Sequence, residues 1–253
     1  MRLVQVDAFT AEAFRGNPAA VCVLDAPRDE EWMAAVAREM NLSETAFLER
    51  RDGEWGLRWF TPATEVDLCG HATLAAGHVL MSAHQVRFAT RSGILTVSRA
   101  EDLLELNLPA CTVEQGALPG LAEALGVSGA TYIASGAEDA AIVLLDDERA
   151  VRAVRPDFAA LADFPELVIV TAPGDEHSVV SRVFAVPFGI AEDPVTGAAH
   201  AALTPFWSGR LGRNHFTALQ ASQRSGILHC RLEGDRVVLG GQCVTVIAGS
   251  FQL

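Results

Sequence analysis

Apolar stretches bounded by turn formers recur along the whole chain, and their spacing predicts strands and helices in alternation. Residues 2–9 and 19–24 read as strands, joined by a loop containing Gly16-Asn17-Pro18. Across 29–40 the period becomes helical: Trp32, Val36 and Met40 recur, Met33 and Ala37 stand beside them, and Asp29, Glu30 and Glu31 load the first turn. Residues 42–49 and 56–60 predict two strands around an Asp52-Gly53 turn. A small-residue helix is expected over 70–82, and two hairpin strands over 86–108 turn near Ser92-Gly93 and again near Glu101-Asp102.

The second half repeats the plan. A short helix at 119–125 precedes strands at 130–135 and 140–145, and a helix is expected to start at Pro156, since proline suits a first turn. Strands at 166–171 and 178–186 lead to a second small-residue helix over 196–210. The tail, 217–252, holds several strands, with Gly234-Asp235 and Gly240-Gly241 as turns. Residues 67–73 and 193–199 look alike, which suggests duplication, although their Asp-to-Gly spacing differs by one. The best domain boundary is 109–120, with Pro109 and Pro119.

Composition narrows the function classes. The chain has 253 residues, 50% hydrophobic and 20% charged, enough for a core that needs no disulfide or metal staple. Lys plus Arg number 19 against 32 Asp plus Glu, a formal net charge of −13. That argues against nucleic acid as a partner, because a phosphate backbone needs a basic footprint. A small anionic substrate needs only a few placed donors. The N-terminus turns polar too soon for a signal peptide, and no apolar run approaches the ~20 residues of a spanning helix. A cytoplasmic protein with no membrane partner is therefore expected. The 5 cysteines are scattered and form no C-x-x-C pair, so neither a disulfide scaffold nor a structural zinc site is expected.

Candidate chemistry starts at the two small-residue helices. A helix N-terminus attracts carboxylates, and Gly70 and Gly197 would let a ligand approach the backbone; equally, these are tightly packed core helices. Glu44 alternates with Ala46 and Leu48 on one strand face, a partly desolvated position suited to a general base, though the residue could also cap the preceding helix or face solvent. His71 opens a helix, where the dipole disfavours imidazolium. Asp193, before Pro194, could orient a neighbour, accept a substrate ammonium or cap its helix. Cys69 stands where a thiolate is activated, and where a small buried hydrophobe fits as well. The chain has no H-x-x-x-H pair, no G-x-G-x-x-G after a strand, no Walker A sequence and no G-x-S-x-G elbow.

Several motifs in order carry a resemblance. They are Val6-Asp7-Ala8-Phe9-Thr10, Phe14-Arg15-Gly16-Asn17-Pro18-Ala19-Ala20-Val21, Asn41-Leu42-Ser43-Glu44-Thr45-Ala46-Phe47 and Arg58-Trp59-Phe60-Thr61-Pro62, then Glu65-Val66-Asp67-Leu68-Cys69-Gly70-His71-Ala72-Thr73 and Glu192-Asp193-Pro194-Val195-Thr196-Gly197. Together they resemble the PhzF-like family, relatives of diaminopimelate epimerase, nearly end to end.

The resemblance implies an α+β fold of two similar domains, 1–112 and 113–253, each a curved, mainly antiparallel sheet around a central helix. The C-terminal strand is able to cross to the first domain. It also implies an active site in the cleft between the domains and no metal or organic cofactor, and it is compatible with a homodimer. The family's proton-shuttling glutamate carries over to Glu44, and His71 and Asp193 assist in binding or proton transfer. Substrate, a small anionic or zwitterionic metabolite, is held by Asn17 and by the backbone around Gly70, His71 and Ala72 and around Thr196, Gly197 and Ala198.

Two departures shape the expectation. The epimerases' second cysteine falls at Pro194, which argues against a two-thiol racemisation, and Ala198 replaces the serine of the phenazine-forming members. The expected activity is a cofactor-independent isomerase moving a proton within a small carboxylated metabolite. A binding module on the same fold and a Cys69-dependent racemase are the alternatives.

Overall fold

The structure, a computed structural model, describes residues 1–51, 53–136 and 138–252. Asp52 of the expected Asp52-Gly53 turn lies outside the described residues. The chain divides into two compact units, Met1–Asn107 with Gly240–Leu253, and Leu108–Leu239.

The first unit opens with an antiparallel pair, β1 (Arg2–Ala8) and β2 (Asn17–Val23). Helix α1 (Glu30–Met40) then crosses to β3 (Glu44–Arg51), parallel to β2 with Ala19 opposite Glu44. Asp29 starts α1 by accepting the Trp32 N–H at 2.8 Å, and Asn41 ends it in the left-handed region at φ 49°. Antiparallel β4 (Glu54–Phe60) follows and pairs with the short β5 (Glu65–Val66). After α2 (Gly70–Leu80) comes β6 (Gln85–Thr90), parallel to β4. Antiparallel β7 (Gly93–Ala100) and β8 (Leu103–Pro109) turn where the spacing predicts, but with β6 they make three strands rather than the two expected.

Each face of this sheet has its own helix. Met33, Val36 and Ala37 of α1 pack against Cys22, Phe47 and Phe60. Alternation along β3 then sends Glu44, Ala46 and Leu48 to the opposite face, which α2 covers. That helix has no polar side: all residues from Gly70 to Gly77 are buried. A Cβ on Gly77 would lie 2.6 Å from Val97 Cγ1, so glycine sets how closely α2 approaches β7.

The second unit pairs β9 (Thr112–Gln115) with β10 (Ala130–Ser135), α3 (Leu121–Leu125) lying between them in sequence. β10 is antiparallel to β11 (Ala140–Leu144), and α4 (Glu148–Ala153) and α5 (Phe158–Leu161) cross to β12 (Leu167–Pro173), parallel to β11. Antiparallel β13 (Val179–Ala185) and β14 (Ile190–Asp193) precede α6 (Gly197–Leu211). β15 (His215–Gln220) lies parallel to β13 and antiparallel to β16 (Gly226–Glu233), and β17 (Arg236–Gly241) follows. Pro205 inside α6 has no N–H, so the Ala201 carbonyl lacks its helical donor; it takes the Cys111 N–H at 3.2 Å instead.

Three expectations change. The helix placed at Pro156 begins at Phe158, because Asp157 accepts the N–H groups of Ala159 and Ala160. Helix α4 and the short strands β5, β9 and β14 match no predicted element, being too short to show a period. Gly240 and Gly241, expected as a turn, end β17. A Cβ on Gly241 would meet Phe9 Cδ1 at 2.4 Å, so this glycine serves a close approach.

The two units repeat one plan, and register aligns them residue by residue. Phe60 is opposite Thr45 and Phe184 is opposite Val168, so Leu167 stands where Glu44 does. Arg58 forks onto Glu65 and lies over Phe60; Arg182 forks onto Glu192 and lies over Phe184. Aligning the glutamates carries Gly70 onto Gly197 without a gap, which matches Asp193 to Val66 rather than to Asp67. Among the described residues most strand pairs with a given register are antiparallel, and each unit has a parallel crossover and a further parallel pair, an α+β architecture.

The last strand, β18 (Cys243–Ser250), belongs to the first unit and pairs antiparallel with β1, from Arg2 opposite Ser250 to Ala8 opposite Cys243. Among the described residues, no helix is long and apolar enough to cross a membrane.

Candidate functional site

In the first unit, four of the singled-out side chains meet. The parallel register of β2 and β3 puts Asn17 and Glu44 at the same strand ends, and α2 begins beside them with Cys69 as its N-cap. His71 Nε2 lies 3.3 Å from Glu44 Oε2. Its Nδ1 lies 3.2 Å from Asn17 Nδ2 and 3.5 Å from Cys69 Sγ.

The polarity of this chain of contacts follows from donor chemistry. The Asn17 amide N–H donates, so His71 Nδ1 accepts and the ring proton sits on Nε2, facing Glu44. Burial pushes the imidazole down to about 3, which keeps it neutral at physiological pH. The Glu44 side chain keeps 14% of its exposure and His71 4%, so the pair is nearly dry but open on the carboxylate side. Upstream, buried Asp7 accepts the Phe14 N–H at 2.7 Å and ties down the loop that delivers Asn17.

In the second unit, the residues around α6 form their own network. Asp193, buried, accepts the Thr196 hydroxyl. It is not the helix cap, which is Thr196. Gln220 is wholly buried and clamps the segment: its Oε1 accepts the Thr196 N–H at 2.8 Å and its Nε2 donates to the Asp193 carbonyl at 2.7 Å. Ser222 donates to the Pro194 carbonyl at 2.8 Å. His200 Nδ1–H donates to the Thr196 carbonyl at 2.8 Å, and burial pushes this imidazole down to about 4. Neither Cys69 nor Thr196 gives its helix a side-chain cap.

The family model described as phenazine biosynthesis-like protein matches residues 6–249. The chain belongs to that family. It is similar to a Pseudomonas aeruginosa protein named an uncharacterized isomerase, 47% identical over 100% of this chain and 99% of that one. A human phenazine biosynthesis-like domain-containing protein is 38% identical over 97% and 96% of the two chains. The crystal structure of a phenazine biosynthesis protein of the PhzF family from Enterococcus faecalis superposes with a TM-score of 0.93 at 41% identity, covering 100% and 99%.

Against the family's motifs, Asn17, Glu44, Gly70, His71 and Ala72 fall in the first unit and Asp193, Thr196, Gly197 and Ala198 in the second. Three residues escaped the sequence reading. Gln220 and Ser222 act from the far end of β15 and beyond, with no motif to mark them. Glu138 stands two residues before the first parallel pair, Ala140 with Leu167, as Asn17 stands two before Ala19 with Glu44. Burial, and then the Asp193 charge, push the Glu138 carboxyl up to about 7. The repeated Arg-x-Phe followed by Glu was the sequence signal that could have located it.

Proposed function

We propose that this chain is a cofactor-independent isomerase in which Glu44 takes a proton from carbon of a small carboxylated metabolite and returns it elsewhere on the same molecule. Isomerisation is the reaction class that its family membership and the isomerase relatives support. The observation that carries Glu44 is its nearly dry carboxylate 3.3 Å from a neutral His71 whose tautomer Asn17 sets. A neutral imidazole does not hold the carboxylate in a permanent ion pair, so Glu44 stays available as a base, and the Nε2–H can follow the proton. Asp193 assists binding, and the first-turn N–H groups after Cys69 and Thr196 suit a substrate carboxylate. Ala198 offers no hydroxyl there.

A positioned acid–base group contributes about 10²–10⁴-fold. Glu44→Gln is expected to lose that factor in turnover and to stop solvent deuterium entering product in heavy water. Undiminished incorporation would overturn the shuttle. A second reading rests on Cys69, whose thiol lies 3.5 Å from His71 Nδ1: a thiol-dependent racemase. Full activity of Cys69→Ser removes it.

A further inference from the structure

We propose that Arg182 and Glu192 are positioning residues whose fork holds β14 in register and so keeps Asp193 facing the start of α6. The consequence for substrate rests on the binding role given to Asp193 above; the placement itself does not. Both side chains are mostly buried, and Glu192 immediately precedes Asp193 on β14.

The two neighbours face opposite ways. Thr171 on β12 accepts the indole N–H of Trp207 at 3.0 Å, so its side of the sheet meets α6. Ser181 stands opposite Thr171, alternation puts Val183 on the same side, and Asp193 stands opposite Val183. Arg182, Phe184 and Glu192 therefore share the other side, where Phe184 packs in the core with Leu121, Val151 and Leu161. There the guanidinium is held firmly. It lies 5.1 Å over the Phe184 ring, and its Nη1–H donates to the Val154 carbonyl at the end of α4 at 2.8 Å. Its Nε and Nη2 donate to the two Glu192 oxygens at 2.7 and 2.9 Å.

A strand like β14 needs such a pin. It has 4 residues, and its register with β13 shifts between Val183 and Ala185. One further slip would exchange its faces, moving Asp193 away from the Thr196 hydroxyl and Glu192 away from Arg182. The second loss opposes the slip more strongly, because it leaves a buried guanidinium without its carboxylate. Gln220 secures the main chain at the Asp193 carbonyl and the Thr196 N–H, and the fork adds a side-chain anchor one residue earlier. The first unit repeats the device. There β5 has only 2 residues, and Glu65 stands four before the N-cap Cys69, as Glu192 stands four before Thr196. Arg58 forks onto Glu65 with both bonds at 2.6 Å and reaches Glu30 of α1 at 3.0 Å. What recurs is a strand too short to hold its own register, at the entry to a buried helix.

The test is a double-mutant cycle in the whole protein that needs no ligand. Asp193 helps push the Glu138 carboxyl up, so Asp193→Asn should lower the pH at which Glu138 titrates. Carbon-13 NMR of carboxyl-labelled glutamate follows that titration, with Glu138→Gln assigning the signal. In Arg182→Met the lowering should shrink to about half or less, because Asp193 is no longer held in place; comparison within each background cancels the charge removed at Arg182. The Thr196 amide should also exchange its hydrogen about tenfold or more faster in Arg182→Met. Arg182→Lys keeps the charge without the fork and should show both effects in weaker form, which covers a Met variant that fails to fold. A lowering of equal size in the parent and the folded variant, or unchanged Thr196 exchange, overturns the proposal. Both expected effects with solvent deuterium incorporation at the parent level would uphold the positioning role and count against Asp193 as a binding residue instead.

Discussion

Burial, helped by the charge of Asp193, reshapes the titration of Glu138. The Glu138 carboxyl titrates near 7 in the fold and near 4.5 when exposed, so between those values the folded state holds a proton that the unfolded state has lost. The associated stability is complete below pH 4.5 and is lost as pH rises through 7. Glu138→Gln keeps the neutral shape. It is expected to be more stable than the parent above pH 7 and equal to it below pH 5, as urea unfolding across that range would report. His200 works in the opposite sense. Its folded value of about 4 lies below the ordinary 6.5, so the unfolded state takes the proton first and stability falls as pH drops from 6.5 towards 4. His200→Asn preserves a donor for the Thr196 carbonyl and should flatten that acid slope, whatever its effect on absolute stability.

At the scale of elements, the segment before α6 depends on a strand that follows it. Gln220 on β15, itself wholly buried, satisfies both the Thr196 N–H and the Asp193 carbonyl. Gln220→Ala should cost on the order of 2–4 kcal/mol in unfolding free energy, because each orphaned backbone group forfeits about 1–3 kcal/mol. Thermal and urea unfolding would measure it. Helix α2 owes its place to small residues instead. Gly77→Leu would drive a side chain into Val97, and about 1–3 kcal/mol or more of destabilisation is expected from overpacking. Both helices were legible in the sequence, since runs of Ala and Gly with no polar stripe indicate burial on all sides. The short α4 and the true start of α5 were not, since one or two turns carry no period and the decisive signal was a capping aspartate.

For the whole molecule, the chain's end completes its beginning. β1 has β2 on one side and β18 on the other, so residues 243–250, though half-buried or exposed, complete the sheet of the first unit. Removing residues 243–253 should expose the β1 edge and abolish the cooperative unfolding transition, with aggregation visible by size-exclusion chromatography. The duplicated plan divides its chemistry unequally. Where the first unit has Glu44, Asn17 and Val66, the second has Leu167, Glu138 and Asp193. Repetition made the backbone, and substitution at matching positions gave each helix start a different set of polar groups.

Most of the longer strands and helices, the two small-residue helices and the family itself were legible in the sequence alone. Each is written in local spacing or in contiguous motifs, which survive without knowledge of any distant contact. Alternation grouped Glu44 with Ala46 and Leu48 on one strand face but left open whether that face met solvent, and the neighbours of Glu44 were not legible at all. Only the tertiary structure decided the tautomer of His71, because its donor, Asn17, lies 54 residues away. The same holds for the Gln220 clamp, 27 residues from Asp193. The parallel register alone showed that Glu138 occupies in the second unit the position that Asn17 has in the first. Hydrogen bonds and desolvation act through space, and no period along the chain records which distant groups will share a buried corner.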